Sequence, residues 1–334
     1  VSGVTFTGAT VAGVISGSLV NTANITALPS ASYVIRSGFL VGPGVNLTGA
    51  ALSSQLFTGL SVAGANFTNA NLTGATFTTT NVTATNFTGA TFTNITCGGG
   101  LVGVAAATLP SAAYVARAAT YNVFLGPGII TRNQNFTNID LSGVSLVGAD
   151  MSGCNLTNAN LTNADISGAN LRGTTLSGLT TGGLTSSSTT TTPPTGYIIR
   201  AGFIVGPNVN LVGANLSNQD ISGQSLVGTN ISGANFIGAT FTRLVSGAIT
   251  GADTASLPNG YVARNGYILG PYVLLRGITT GLTGINLSGV PLTGADLSGC
   301  VFTNSDFTNV DISGANLSRV TFTGVTSGGI TGGA

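Results

Sequence analysis

From Leu47 an apolar residue recurs at every fifth position, through Leu52, Phe57, Val62 and Phe67 to Cys97. The same spacing runs from Phe136 to Leu176, from Leu211 to Phe241 and from Leu287 to Phe322. Neither the 3.6-residue period of a helix nor the two-residue alternation of a strand gives this interval. With the apolar residue taken as a centre, the residue two before it is small, as at Ala65, Ala70, Ala159 and Ala234. The residue just before the centre is often Asn, Asp or Thr. The next one after it is usually Thr or Ser, and the one after that is often Gly or Asn.

A second pattern interrupts the first four times. It reads Leu28-Pro29, Tyr33, Arg36, Gly38-Phe39, Gly42-Pro43, and returns as Leu109-Pro110, Tyr114, Arg117, Phe124, Gly126-Pro127. The third copy carries Pro193-Pro194, Tyr197, Arg200, Gly202-Phe203, Gly206-Pro207. The fourth carries Leu257-Pro258, Tyr261, Arg264, Gly266-Tyr267, Gly270-Pro271. Apolar runs around Ser-Gly, Ala-Gly or Asn-Gly predict a β-hairpin, with Asn265-Gly266 the strongest turn signal. The second copy has extra residues near Thr120. These units divide the chain into a module tail at 1–27 and modules at 28–108, 109–192, 193–256 and 257–334. Ser/Thr/Gly/Pro stretches between them, most clearly Thr181 to Thr195, read as loops or connectors.

The five-residue units resemble those of the pentapeptide-repeat family, A-(D/N)-L-x-x. Ala65-Asn66-Phe67-Thr68-Asn69-Ala70-Asn71-Leu72-Thr73-Gly74 carries the likeness closely. The resemblance implies an all-β fold, a right-handed quadrilateral β-helix with four pentapeptides per coil, in which the centre and the residue two before it point inward. Residues twenty apart then stack. Leu47 lies under Phe67 and Phe87, and Phe57 under Phe77 and Cys97. Outside, Asn46, Asn66 and Asn86 form one ladder and Thr48, Thr68 and Thr88 another, with like side chains pairing between coils. Asp140, Asp150 and Asp296 stack on Asn160, Asn170 and Asn316. Twenty residues per coil predicts roughly 17 coils and a rod of at most ~80 Å, at about 4.8 Å per coil. Such a rod needs no single globular core, because each coil contacts only its neighbours.

Composition narrows the chemistry. The chain of 334 residues has no His and no Trp, its nine basic residues are all Arg and its eight acidic residues are all Asp. General acid–base catalysis draws on His, Glu, Asp, Lys, Tyr or Cys, and three of these types are missing. No base can be paired with a nucleophile, no metal-ligand cluster or phosphate loop is present, and the reading is a non-enzyme without cofactor, metal or small-molecule substrate. A net charge of +1 supplies no basic stripe for nucleic acid. Some members of the family mimic duplex DNA and protect DNA gyrase, which needs an acidic rod; this chain lacks one. No apolar run is long enough for a membrane helix. Cys97 sits at a centre, and Cys154 and Cys300 two before one. All three are expected inside as small hydrophobes. The Asn-x-Thr/Ser sequons follow from the repeat itself.

The tyrosine–arginine pairs of the hairpin motif (Tyr33 and Arg36, Tyr114 and Arg117, Tyr197 and Arg200, Tyr261 and Arg264) are candidate assembly contacts, the arginines stacking on rings of a neighbour. The alternative is that each arginine caps carbonyls at its hairpin base. Val4-Thr5-Phe6-Thr7-Gly8 resembles Val320-Thr321-Phe322-Thr323-Gly324, so the first residues read as the tail of a module. The chain begins at Val1 with no Met and no signal-like segment, which suggests a processed product or a piece of a longer chain. No charged or helical cap is visible at either end, and an uncapped head meeting an uncapped tail can build an open filament. The expectation is a self-assembling structural subunit of an extracellular, cell-surface or virion-surface fibre. The alternatives are an ice-binding or adhesive solenoid with threonine ladders, or a segment of a longer adhesin or tail fibre.

Overall fold

The structure, a computed structural model, describes the chain except residues 1–2, 18, 21, 23–24, 118–119, 187–189 and 333–334. Its unit is set by a tight turn in each pentapeptide. The carbonyl of the centre accepts the N–H three residues on, as from Ala50 to Leu47 (3.1 Å) and from Ala65 to Val62 (2.9 Å). The third residue of each turn has positive φ, 69° at Gly49 and 56° at Asn69. This is the type II geometry, which favours Gly or Asn there. The chain therefore turns a corner every five residues and closes a coil in twenty.

Successive coils are joined by parallel main-chain bridges, Asn46 to Asn66 to Asn86 on the first face and Ala51 to Asn71 to Thr91 on the second. Leu56, Thr76 and Thr96 follow on the third face, and Ser61, Asn81 and Val102 on the fourth. Each bridge is a pair of bonds, such as Asn66 N–H to Val45 O (2.9 Å) and Leu47 N–H to Asn66 O (2.7 Å). The centres fill the interior. Phe57 and Phe77 stack with centroids 4.6 Å apart and planes 7° apart, and Phe67 and Phe87 stack at 5.4 Å. Phe77 meets Phe87 edge-on at 5.7 Å. The residue two before the centre is also buried in most pentapeptides. At several positions where it is Thr or Cys, its side chain donates to a carbonyl of the coil below. Thr80 bonds Phe57 O (2.8 Å), Thr85 bonds Val62 O (2.9 Å) and Cys154 bonds Thr131 O (2.9 Å).

The outer ladders differ from the like-on-like pairing expected. Asn66 Nδ2 donates to Thr48 Oγ1 and Asn86 Nδ2 to Thr68 Oγ1, both at 3.2 Å, while each threonine hydroxyl donates to its own asparagine Oδ1. The pairing is diagonal because Oδ1 also accepts the N–H two residues on, which turns the amide toward the threonine side. The aspartate–asparagine stacks do form, with Asn160, Asn170 and Asn316 donating to Asp140, Asp150 and Asp296 at 3.0–3.2 Å.

All four predicted hairpins are present. They pair β3 (Val34–Arg36) with β4 (Phe39–Val41), β5 (Val115–Arg117) with β6 (Val123–Leu125), β7 (Ile198–Arg200) with β8 (Phe203–Val205), and β9 (Val262–Arg264) with β10 (Tyr267–Leu269). Three close through two residues of positive φ, Ser37-Gly38, Ala201-Gly202 and Asn265-Gly266, the combination whose twist matches that of the strands. Each hairpin takes the place of one pentapeptide in a longer coil. Ile15 bridges to Asn46, Thr96 to Ile130, Thr180 to Asn210 and Val245 to Leu274, separations of 31, 34, 30 and 29 residues. The solenoid therefore has fewer coils than division by twenty predicts. By bridge order the first and third hairpins lie on the fourth face, the second on the second face and the last on the third.

Two short parallel strand pairs and one 3-10 turn complete the list among the described residues. At one end β1 (Val4–Thr5) pairs with β2 (Ile25–Ala27). At the other, β11 (Val301–Thr303) pairs with β12 (Thr321–Thr323). A single 3-10 turn spans Val104–Ala106. One apolar core runs from Val41 to Ile268 through the first three hairpin units, and a second from Leu269 to Val310 adjoins it at β10. The stretch Thr181 to Thr195 is not a free connector outside residues 187–189. Thr185 bridges Asp165, Thr192 bridges Asn170, and buried Thr191 donates to Ile166 O (2.9 Å).

Candidate functional site: docked hairpins and the ends of the solenoid

The hairpins are the only large departures from the five-residue rule among the described residues, and one set of contacts seats each of them. In the coil beneath, a small polar side chain accepts the N–H of the second hairpin strand. Ser16 accepts from Leu40 (2.6 Å), Cys97 from Phe124 (3.2 Å), Thr181 from Ile204 (3.1 Å) and Ser246 from Ile268 (2.9 Å). Three or four residues later a main-chain N–H meets the hairpin turn, as from Leu184 to Gly202 O (3.1 Å) and from Ile249 to Gly266 O (3.0 Å). Cys97 is thus buried, as expected, but it does more than fill space. Burial pushes its thiol up to about 12, opposed by the N–H bond from Phe124.

The residues around these acceptors share a pattern that the five-residue reading passed over. Thr10-Val11-Ala12-Gly13-Val14-Ile15-Ser16-Gly17 aligns with Thr91-Phe92-Thr93-Asn94-Ile95-Thr96-Cys97-Gly98 and with Thr175-Leu176-Ser177-Gly178-Leu179-Thr180-Thr181-Gly182. Thr240-Phe241-Thr242-Arg243-Leu244-Val245-Ser246-Gly247 is the fourth. The apolar second residue supports the hairpin from below. Phe92 meets Tyr114 edge-on at 5.4 Å, and Phe241 meets Tyr261 at 5.2 Å. The signal lay in the sequence as a polar residue before Gly where the periodicity breaks.

The tyrosines and arginines chosen from the sequence make their contacts inside the chain. The ring of Tyr33 lies on Gly42, that of Tyr114 on Gly126, that of Tyr197 on Gly206 and that of Tyr261 on Gly270, so close that no β-carbon fits. The hydroxyls of Tyr33, Tyr197 and Tyr261 donate to the carbonyls of Pro43, Pro207 and Pro271 at 2.9–3.1 Å. Burial raises the phenols of Tyr114, Tyr197 and Tyr261. The tyrosine and the Gly-Pro that follows it, nine residues on in three copies and twelve in the second, therefore form a lock at the hairpin base.

The arginines follow the capping alternative. Nε of Arg36, Arg117 and Arg200 donates to the carbonyls of Leu56 (3.2 Å), Asp140 (3.0 Å) and Asp220 (3.0 Å) in the next coil. Arg264 instead bonds Ala263 O beside it (2.9 Å). Two ion pairs, Arg132 with Asp150 (2.6 Å) and Arg276 with Asp296, continue the outer ladder where a threonine would otherwise stand. Burial alone would raise both carboxyls, but hydrogen bonds from Ser152 and Ser298 and the two guanidinium groups hold them below the usual aspartate range.

At the ends of the described solenoid the core columns run out to the surface. Phe6 is 40 % and Val14 42 % exposed at one end, and Phe322 is 48 % exposed at the other. Phe307, Ile312, Leu317, Phe322, Val325 and Ile330 line a hollow of about 490 Å³ at that second end. Among the described residues no group of three His, Cys, Asp or Glu could hold a metal, and no helix is long and apolar enough to cross a membrane.

Four faces of stacked five-residue units around an apolar interior, with hairpins docked into the stack, define a quadrilateral β-helix. The signature of the family described as "Pentapeptide repeats" matches in eight copies, over residues 46–83, 56–94, 135–178, 208–243 and 285–324, which is just over half of the sequence. The chain belongs to the pentapeptide-repeat family, whose helix is right-handed. Among solved structures it is similar to HetL, involved in heterocyst differentiation regulation in the cyanobacterium Nostoc, at 18 % identity over 84 % of this chain and 86 % of that one, with a TM-score of 0.18. It is similar to full-length QnrB1, a plasmid-mediated fluoroquinolone resistance protein, at 20 % identity over 60 % and 85 % of the two chains, with a TM-score of 0.14. A pentapeptide repeat protein of the Arabidopsis thaliana thylakoid lumen matches at 18 % identity over 56 % and 70 %, with a TM-score of 0.10. No curated protein matches the chain.

Proposed function

We propose that this protein is a non-enzymatic structural subunit of an extracellular fibre or filament, assembling head-to-tail through the ends of its solenoid. The observation that carries the reading is the emergence of apolar core columns at both ends, at Phe6 and Val14 and at Phe322 and Ile330. Stacked coils bury such side chains against one another, and an open edge offers backbone groups for further pairing. A contact between unlike ends leaves each new end free, and so propagates. The composition supports a material role outside the cell, with small uncharged residues on the faces and a net charge of only +1.

Negative-stain microscopy and light scattering on the purified chain test this. Strings of rods whose length grows with concentration are expected. Monodisperse short rods at all concentrations refute it. The ordered hydroxyl column at Thr48, Thr68 and Thr88 favours the adhesive or ice-binding alternative, although each hydroxyl already serves the asparagine ladder. Thermal hysteresis without filaments would select that alternative.

A further inference from the structure

The eight-residue pattern that seats the hairpins occurs a fifth time. Thr321-Phe322-Thr323-Gly324-Val325-Thr326-Ser327-Gly328 aligns without a gap on the segments ending at Gly17, Gly98, Gly182 and Gly247. Beneath the second and fourth hairpins the Phe of this pattern, Phe92 or Phe241, lies under a hairpin tyrosine and is 1 % exposed. Phe322, in the same position, is 48 % exposed, and Ser327 is exposed where Ser16, Thr181, Ser246 and Cys97 are buried. β12 is already formed on β11, and Phe322 stacks on Phe302 at 5.8 Å. The seat is built, and no described part of the chain sits on it.

The first hairpin rests on the weakest of the four seats. Its supporting residue is Val11 rather than Phe or Leu. Among the described residues before Val41, Val11 and Pro29 are the buried apolar side chains. Phe6, Val14, Ile15, Leu19 and Val20 around Val11 are all exposed. The coil is nonetheless tied to its neighbours by main-chain bonds such as Phe6 N–H to Ala27 O (2.9 Å) and Ser16 N–H to Asn46 O (2.9 Å).

We propose that residues 321–330 of one copy form the seat for the first hairpin, β3–β4, of a second copy, and that residues 4–17 of that second copy are a placeholder displaced when the copies join. Ser327 then takes the N–H of Leu40 from Ser16, and Phe322 takes the place of Val11 beneath the hairpin. The exchange replaces the bond from Leu40 to Ser16 with one to Ser327 and buries Phe322 in place of the smaller Val11. Exchange of an identical element between copies is a low-cost route to association. This inference rests on the head-to-tail reading and names the residues that make the joint.

Hydrogen exchange on the full chain, in dilute and assembled samples, tests it. On assembly the amides of residues 4–16 are expected to lose protection while those of 321–330 gain it and Leu40 stays protected. In parallel, Ser16→Val is expected to lower the concentration needed for assembly, and Ser327→Val to raise it about tenfold, the worth of one hydrogen bond to a buried N–H. Assembly in which residues 4–16 gain protection, or in which both variants weaken it equally, overturns the exchange and leaves simple head-to-tail stacking in place. A sample that never assembles overturns both. If residues 321–330 are protected even in the monomer, another part of the same polypeptide fills the seat, and the exchange is again overturned.

Discussion

Gly206→Ala isolates the lock at the base of the third hairpin. A β-carbon on Gly206 would lie 2.2 Å from Cδ1 of Tyr197, and 2.7 and 2.8 Å from Cε1 and Cγ. Carbon atoms rest about 3.5–4.0 Å apart, so the ring must retreat by more than about 1 Å. That movement breaks the bond from the Tyr197 hydroxyl to Pro207 O, now 3.1 Å long. Gly206 does not have positive φ, so the cost is steric and not backbone strain. Overpacking contributes roughly 1–3 kcal/mol and the lost bond about 0.5–1.5 kcal/mol, which together predict a loss of about 2–4 kcal/mol. Because solenoid stability is distributed over neighbouring coils, the assay is hydrogen exchange of β7 and β8, supported by urea denaturation. A double-mutant cycle with Tyr197→Ala supplies the decisive number. Once the ring is gone, Gly206→Ala should cost little, below about 0.5 kcal/mol. Additive costs for the two changes would refute the lock.

Three other outcomes are expected. Phe77→Ala empties a fully buried site between two stacked or edge-on rings and should cost roughly 3–5 kcal/mol in denaturation, with protection lost first in the coils above and below it. Asp296 titrates below the ordinary aspartate range when folded, so its contribution is fully present above about pH 4 and disappears as pH falls through the lower folded value. Asp296→Asn should flatten this acid loss of stability, measured as the urea midpoint against pH. Cys97, pushed up to about 12, should resist thiol reagents at pH 8 in the folded chain and react on unfolding; rapid labelling of the native protein would contradict the seat at Phe124.

The seats and locks divide the labour of the hairpin module. The five-residue coil is self-templating, since every face presents the same ladder to the next. A hairpin breaks that ladder and must recover its lost bonds individually, through Ser16, Cys97, Thr181 or Ser246 below and Arg36, Arg117 or Arg200 above. The tyrosine on glycine then fixes the angle at which the chain re-enters the coil. Rigid insertion of this kind keeps the apolar core unbroken past each of the first three hairpins.

Much of this architecture was written in the spacing alone. A centre at every fifth residue specifies which side chains are internal, because a turn with positive φ after each centre leaves the chain no other period. Hence, with the four pentapeptides per coil that the family resemblance implies, Phe57 over Phe77 and Asp150 beside Asn170 could be placed before any coordinates. The hairpins were equally legible, since Asn265-Gly266 and its counterparts are local turn signals. What the sequence could not convey was the use made of longer-range contacts. Tyr197 reads as an exposed aromatic until Gly206 comes to lie beneath it, and Cys97 reads as one more centre until the N–H of Phe124 arrives from 27 residues away. The face from which each hairpin leaves follows from loop lengths summed around the coil, which only the closed structure adds up. Local periodicity fixes a side chain's direction, but the identity of its partner depends on how many residues each coil consumes, and that is a property of the whole stack.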